Sequence, residues 1–196
     1  MSAVSTLVAD GAVLAHVRRV TRPAHDRLEG SLGLLDPDLD SERYLDLLQR
    51  FYGFWLIWQP QIATLLGDDI FLAPRRRLHL LHADLIVLGM TALGLDLLPR
   101  CPAVPLGNAQ EALGSLYVME GSSLGGRLIK RNVEDQLGEI GQASCSYFRG
   151  YGPRTGAMWS ATIARLCQEP VAHKEAVGRG AVATFAQLDW WLTRST

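Results

Sequence analysis

The chain has 196 residues, of which 48% are apolar and 20% are charged, and this composition is typical of one globular domain with a full core. Its formal net charge of -1 argues against a general attraction to nucleic acid or acidic membranes, so neither is an expected partner. The basic triplet Arg75-Arg76-Arg77 is interpreted as a solvated face.

Features that report on location point to the cytoplasm. The three cysteines are odd in number and widely spaced, without a metal-ligand pattern, which fits a reducing compartment. The N-terminus lacks a basic region followed by an apolar core, and no apolar run reaches about 18 residues. We expect a cytoplasmic protein with a flexible N-terminus at residues 1–10 and one domain over residues 11–196.

Apolar residues recur at three- and four-residue steps along most of the chain, which predicts helices. The first helix begins near Gly11, and Pro23 either kinks it or starts a new one. Ser41 with Glu42 is expected to cap a long second helix, and Pro74 to open the next in its first turn. Asn108 is a plausible cap further on. Period-2 alternation is not sustained anywhere, so we predict an all-α, single-domain bundle of about seven helices.

Residues 117–131 are the segment least like ordinary packing. Their apolar spacing is helical, yet they contain Gly121, Gly125 and Gly126, each costing a helix interior about 1 kcal/mol relative to alanine. In a continuous helix, Gly114, Gly121 and Gly125 would lie on one narrow stripe. Three interpretations are open: a tight helix–helix contact, a kink without a ligand, or a wall over a planar cofactor.

His25 stands out among the five histidines because Glu29 lies one helical turn further on. A carboxylate there can accept a hydrogen bond from the ring and orient a metal-ligating histidine. Arg18 and the nearby Arg22 would suit an iron porphyrin with two carboxylates. The residues alone favour the alternative, an exposed His–Glu pair on a polar face. The His79/His82 spacing lacks the partner motifs of a di-iron site.

Residues 21–29 and 117–131 together resemble the haem oxygenase family, in particular its bacterial members found beside bacteriophytochromes. The first segment resembles the family's proximal-histidine helix, and the second resembles its distal helix through the run Glu-Gly-Ser-Ser-Leu-Gly-Gly. Helix order and length agree over nearly the whole chain. The resemblance implies a haem-oxygenase-like bundle that opens haem to biliverdin, releasing carbon monoxide and ferrous iron. O2 and an external electron donor are consumed.

The resemblance also implies roles for single residues. His25 would bind the iron with support from Glu29, while Gly121, Gly125 and Gly126 would let the distal backbone approach the porphyrin. The residues expected to meet the propionates are Arg18, Tyr117, Lys130 and Arg131. The implied partners are haem, a redox donor (a ferredoxin, a flavoprotein or a small reductant) and a bacteriophytochrome that receives the bilin.

One position departs from the family pattern. Animal-type relatives have an aspartate where this chain has Ser122, so the distal water network must be held differently, with Ser122, Arg127 and Tyr151 as candidates. This departure motivates an alternative, a non-catalytic haem-binding or storage protein on the same fold. A thiamine-degrading enzyme of similar architecture would need a cysteine nucleophile, for which the three cysteines have no recognisable setting.

Overall fold

The predicted helical periodicity becomes ten α-helices, without a β-strand, over residues 11–194, the range that the computed structural model describes. The all-α prediction is therefore confirmed, and seven of these helices have ten or more residues. The expected flexible N-terminus lies outside the described residues. The helices are α1 (Ala12–Leu32), α2 (Ser41–Leu66), α3 (Asp69–Leu72), α4 (Leu78–Val87), α5 (Ala92–Asp96), α6 (Ala109–Gly121), α7 (Gly126–Ala143), α8 (Ser146–Arg149), α9 (Thr155–Cys167) and α10 (Lys174–Thr193).

Helix α1 runs unbroken through Pro23, so no new helix starts there. The hydroxyl of Thr21, two residues earlier, donates to the Val17 carbonyl at 2.8 Å. The helix ends at Gly33, whose φ of 61° is the left-handed conformation that glycine adopts without a steric penalty. One helix therefore carries Arg18, His25 and every residue between them.

Two predicted helix starts are wrong, and one is confirmed. Asp40, rather than Ser41, caps α2, because its extended backbone lets the carboxylate accept the Arg43 N–H at 2.8 Å. Pro74 lies in a short 3-10 turn, and α4 begins only at Leu78. Asn108 caps α6 as predicted.

The core is built around α2. Trp55 is fully buried and donates its indole N–H to the Tyr147 hydroxyl at 2.9 Å. Trp58 donates to the Ser115 hydroxyl of α6 at 2.7 Å. These bonds allow polar atoms of large aromatic residues to be buried without a desolvation penalty. Tyr147 belongs to the stretch at residues 138–156, whose aromatic residues fold back onto the core.

Helix α10 is the common support of α1 and α6. A Cβ atom at Gly114 of α6 would overlap the Val177 carbonyl of α10, and one at Gly180 would overlap the Glu111 carbonyl. Paired glycines therefore allow the two backbones to meet. For Gly114, a tight helix–helix contact is the correct interpretation. Since α10 also packs along α1, it holds α1 and α6 on either side of a shared space.

Candidate functional site

A cavity of about 570 Å³ lies between α1 and the α6–α7 junction. Its volume is within the range of small-molecule pockets. Leu188 and Leu192 of α10, with Phe51 and Phe148, supply much of its apolar lining. The predicted site residues in the lining are Arg18, His25, Glu29, Tyr117, Gly121, Ser122, Gly125 and Gly126.

The wall formed by α1 presents His25, whose side chain is 53% exposed. Its Nδ1 atom is 3.6 Å from a Glu29 carboxylate oxygen and 3.6 Å from a carboxylate oxygen of Asp26. The Phe185 ring of α10 meets the imidazole edge-on, with centroids 6.0 Å apart. Because both carboxylates are on the Nδ1 side, Nε2 is left as the ring atom for a ligand. The helical spacing to Glu29 predicted this pair but did not predict Asp26.

The opposite wall is not the continuous helix that the apolar spacing predicted. Helix α6 ends at Gly121, residues 122–124 form a 3-10 turn, and α7 begins at Gly126. The Ser122 hydroxyl donates to the Met119 carbonyl at 2.8 Å, which diverts a helix acceptor at the break. Gly121 and Gly125 have φ values of -59° and -73°, so backbone conformation does not require glycine at either position.

The glycines of this wall have different neighbours. A Cβ atom at Gly126 would overlap the Phe148 carbonyl, so its missing side chain already serves packing against α8. A Cβ atom at Gly121 would make an ordinary 3.5 Å contact with the Trp159 ring. At Gly125 it would meet nothing closer than the Ser122 carbonyl at 3.9 Å. Gly121 and Gly125 thus leave the cavity wall bare without a packing requirement.

The predicted basic residues separate into two groups. Arg18 and Tyr117 line the cavity from opposite walls. Burial raises the pKa of Tyr117, and Arg18 opposes that shift. Arg22 also lines the cavity. Lys130 and Arg131 lie outside the lining on α7, where they pair with Glu134 at 2.6 Å and Asp135 at 3.7 Å, respectively.

Similarity to a known protein agrees with this arrangement. No protein-family model matches the chain. The chain is 31% identical over 159 residues to a heme oxygenase of Xanthomonas campestris pv. campestris (strain 8004), and the match covers 76% of this chain and 88% of that protein. The chain belongs to the haem oxygenase family. The family and the fold inferred from residues 21–29 and 117–131 are therefore confirmed, and at the level of the family the protein is an oxidoreductase.

Sequence reasoning missed two buried charged groups in this haem oxygenase family member. Arg75 and Arg77 are only 6% and 3% exposed, so the solvated-face interpretation is wrong for them and right only for Arg76. Arg77 lines the cavity and donates to the Met119 carbonyl at 2.8 Å. Glu120 could have indicated these buried arginines. Its carboxylate stands at the end of an apolar stretch, and a buried carboxylate requires a buried cation.

Glu120 lies in α6, directly before Gly121, and is 1% exposed. The Tyr151 hydroxyl donates to its carboxylate at 2.6 Å, and the Arg75 Nε atom is 3.5 Å from the other carboxylate oxygen. Burial raises the pKa of Glu120, and Arg77, Tyr151 and Arg75 oppose that shift. Tyr151 is thus occupied by Glu120 and is not part of the cavity lining.

Two further observations concern the part of the chain that the structure describes. Residues 11–194 contain no group of three or more His, Cys, Asp or Glu side chains placed to hold a metal ion, and this includes the surroundings of His79 and His82. None of the helices in this range has both the length and the apolar character needed to cross a bilayer.

Proposed function

We propose that this haem oxygenase family member binds haem in the cavity between α1 and the α6–α7 junction and opens it to biliverdin. Carbon monoxide and ferrous iron are the other products, and O2 and external electrons are consumed. One observation carries the proposal. A histidine lines one side of the cavity and bare glycine backbone lines the other, and the cavity volume is about 570 Å³.

The cavity residues fit haem chemically. A neutral imidazole nitrogen is a common axial ligand of haem iron, and the carboxylate of Glu29 near Nδ1 would fix the tautomer that leaves Nε2 free. A flat, largely apolar macrocycle suits the bare Gly121 and Gly125 wall. Arg18 and Arg22 are cations that would form charge-assisted hydrogen bonds with propionates.

Each part of the chain has a distinct task in this proposal. Haem, the substrate, supplies the iron centre at which O2 is activated. His25 would bind the haem iron through Nε2, and Glu29 would orient the imidazole. The glycine wall excludes side chains from the opposite face, so that backbone atoms limit where a small molecule can lie. The α10 residues Leu188 and Leu192 exclude bulk water from the side of the cavity that α10 forms.

The test is to add haemin to the purified protein and to follow the visible spectrum before and after adding ascorbate or a flavoprotein donor. We expect a Soret band of histidine-ligated haem that decays into biliverdin absorption. A stable Soret band without decay would instead favour the alternative, a haem carrier on the same fold. Absence of a Soret band would contradict haem binding in this cavity.

The ligand assignment is tested by His25→Ala. We expect this variant to lose the histidine-type Soret band and turnover, because within residues 11–194 no other histidine lines the cavity. Added imidazole should restore part of the spectrum. His79→Ala is the matched control, since His79 is exposed and outside the lining, and it should behave as the unmodified protein. An unchanged spectrum and rate in His25→Ala would assign the ligand elsewhere.

Other parts of the proposed function rest on the resemblance. A bacteriophytochrome as the recipient of the bilin, a ferredoxin or flavoprotein as the donor, and a cytoplasmic location all stay predictions. The roles of Lys130 and Arg131 toward propionates also stay predictions. Arg18 and Arg22 are the better supported cations because they line the cavity, and Arg22 also pairs with Asp26 at 3.8 Å.

A further inference from the structure

Four buried side chains form an inner cluster behind the glycine wall: Arg75, Arg77, Glu120 and Tyr151. They are 6%, 3%, 1% and 8% exposed, respectively. The cluster contains two guanidinium groups and one carboxylate. Burial raises the pKa of the Tyr151 phenol, which is therefore uncharged at neutral pH. Whichever protonation state Glu120 adopts, the cluster carries excess positive charge.

Excess buried charge is costly unless a partner compensates it. The Arg75 Nε atom and one Glu120 carboxylate oxygen form an ion pair at 3.5 Å but no hydrogen bond, and the buried Arg77 Nε atom has no hydrogen-bond partner within residues 11–194. The cluster is therefore incompletely satisfied within residues 11–194. A ligand of opposite charge, or one with a negative outer atom, would compensate it from the cavity side.

Within the cluster, the cavity lining includes Arg77 but neither Glu120 nor Arg75. The guanidinium carbon of Arg77 lies 5.1 Å, 5.3 Å and 5.2 Å from the ring centroids of Trp55, Tyr147 and Tyr151, respectively. In the described part of the chain, the Met119 carbonyl is the one hydrogen-bond acceptor recorded for it. The aromatic rings and Met119 hold the group in place, while most of its five N–H donors stay unused.

Ser122 cannot supply the same function. Its hydroxyl donates its one proton to the Met119 carbonyl, the same oxygen that accepts from Arg77. Only lone pairs of Ser122 are therefore left for the cavity. A ligand with a negative outer atom needs a donor, and Arg77, which lines the same cavity, has donors to offer.

We propose that Arg77 is the hydrogen-bond donor of the cavity for a small ligand. That ligand is either a monatomic anion or dioxygen that carries partial negative charge on its outer atom. Glu120 is a positioning residue that acts through Tyr151, whose hydroxyl donates to the Glu120 carboxylate and whose ring centroid lies 5.2 Å from the Arg77 guanidinium carbon. The inference rests on the proposed function, because the ligand would lie between the haem face and the glycine wall.

The probe is fluoride, titrated into the ferric haem complex and followed in the visible spectrum. We expect Arg77→Met to weaken fluoride binding by roughly tenfold to a hundredfold, which is the usual effect of one charge-assisted hydrogen bond. The control is Arg76→Met, because Arg76 is exposed and pairs with Asp69 at 2.8 Å. This control should bind fluoride as the unmodified protein does.

The outcomes separate the two proposals. If the unmodified protein does not bind haemin, the proposed function fails. If it binds haemin and fluoride, and Arg77→Met binds fluoride equally well, only the role of Arg77 is overturned. Should Arg77→Met fail to fold, the iron–fluoride stretching frequency of the unmodified protein provides the test. A shift of that frequency in D2O supports a hydrogen-bond donor, and an unchanged frequency overturns it.

Glu120→Gln tests positioning. Removing a negative charge behind Arg77 would by itself strengthen fluoride binding. A positioning role predicts the opposite sign, because a neutral amide accepts more weakly from the Tyr151 hydroxyl and the Tyr151 ring beside the guanidinium is held less firmly. We therefore expect several-fold weaker fluoride binding at unchanged haemin affinity, and stronger fluoride binding would overturn this part of the proposal.

Discussion

The four glycines between residues 114 and 126 have different structural roles. Gly114 and Gly126 are required by neighbouring backbone, at the Val177 and Phe148 carbonyls. Gly121 and Gly125 meet no such obstacle, since the nearest atoms to an added Cβ would be at 3.5 Å and 3.9 Å. Packing within residues 11–194 therefore explains the first pair, and the second pair has a role only under the proposed haem binding.

This division predicts the effect of Gly125→Leu. The haem-free variant should unfold at nearly the same temperature as the unmodified protein, because space is open at this position. A leucine side chain would then protrude into the cavity, and overpacking typically costs about 1–3 kcal/mol. We expect haemin affinity to fall by roughly tenfold to a hundredfold in a Soret titration.

The matched control for this prediction is Gly156→Leu. Gly156 is also free of neighbours within 4 Å, but it is exposed at the start of α9 and outside the cavity lining. It should leave haemin affinity unchanged. If Gly125→Leu also left the affinity unchanged, haem would not lie against this wall.

Helical spacing in the sequence predicts some of the site residues and not others. His25 and Glu29 were predictable because helical spacing alone places them side by side. Arg77 was not, because its burial depends on tertiary packing against Trp55, Tyr147 and Tyr151, which are distant in sequence. A cluster of arginines is usually solvated, and nothing local to residues 75–77 distinguishes this one.

At the scale of elements, the contact between α6 and α10 determines the spacing of the site. Gly114→Ala should lower the free energy of unfolding by about 1–3 kcal/mol or more, because the new methyl group would overlap the Val177 carbonyl. Urea denaturation measures the change. Gly30→Ala, at an open position of α1, should instead stabilise the protein by about 0.5–1 kcal/mol. Equal effects at both positions would contradict the close approach of α6 and α10.

Helices were easier to predict than their breaks. Apolar spacing correctly predicted the long helices because burial of one face drives their formation. It failed at residues 122–124, where Leu124 and Leu128 keep the helical spacing but are 50% and 64% exposed. Local bonds from serine hydroxyls end α6 there, and such bonds leave no mark in apolar periodicity.

At the scale of the whole molecule, stability should depend on pH through Glu111, which joins the start of α6 to α10. Its carboxylate accepts the Gly107 N–H at 2.8 Å and pairs with Arg179 at 3.1 Å. The Gly107 hydrogen bond, followed by Arg179, lowers the pKa of Glu111 below its ordinary 4.5. A lowered pKa stabilises the folded state above pH 4.5, and that stabilisation is lost as the pH falls through the folded-state value.

Glu111→Gln should therefore be less stable than the unmodified protein at pH 7, by up to about 1 kcal/mol. The difference should shrink as the pH falls below 4.5, the ordinary value for this group. Urea denaturation of both proteins between neutral and acidic pH measures it. Glu139→Gln removes an exposed carboxylate of α7 and serves as the control, with an expected change within about 0.5 kcal/mol. A difference for Glu111→Gln that does not vary with pH would contradict the lowered pKa.

The dependence of both cavity walls on α10 also governs when the site comes into being during synthesis. Helix α1, carrying His25, leaves the ribosome before the glycine wall. Neither has its supporting surface until residues 174–193 have been made, because α10 packs against both. A nascent chain therefore exposes a histidine helix without an opposing wall. The complete cavity therefore requires α10, and under the proposed function haem would bind only after translation has passed that helix.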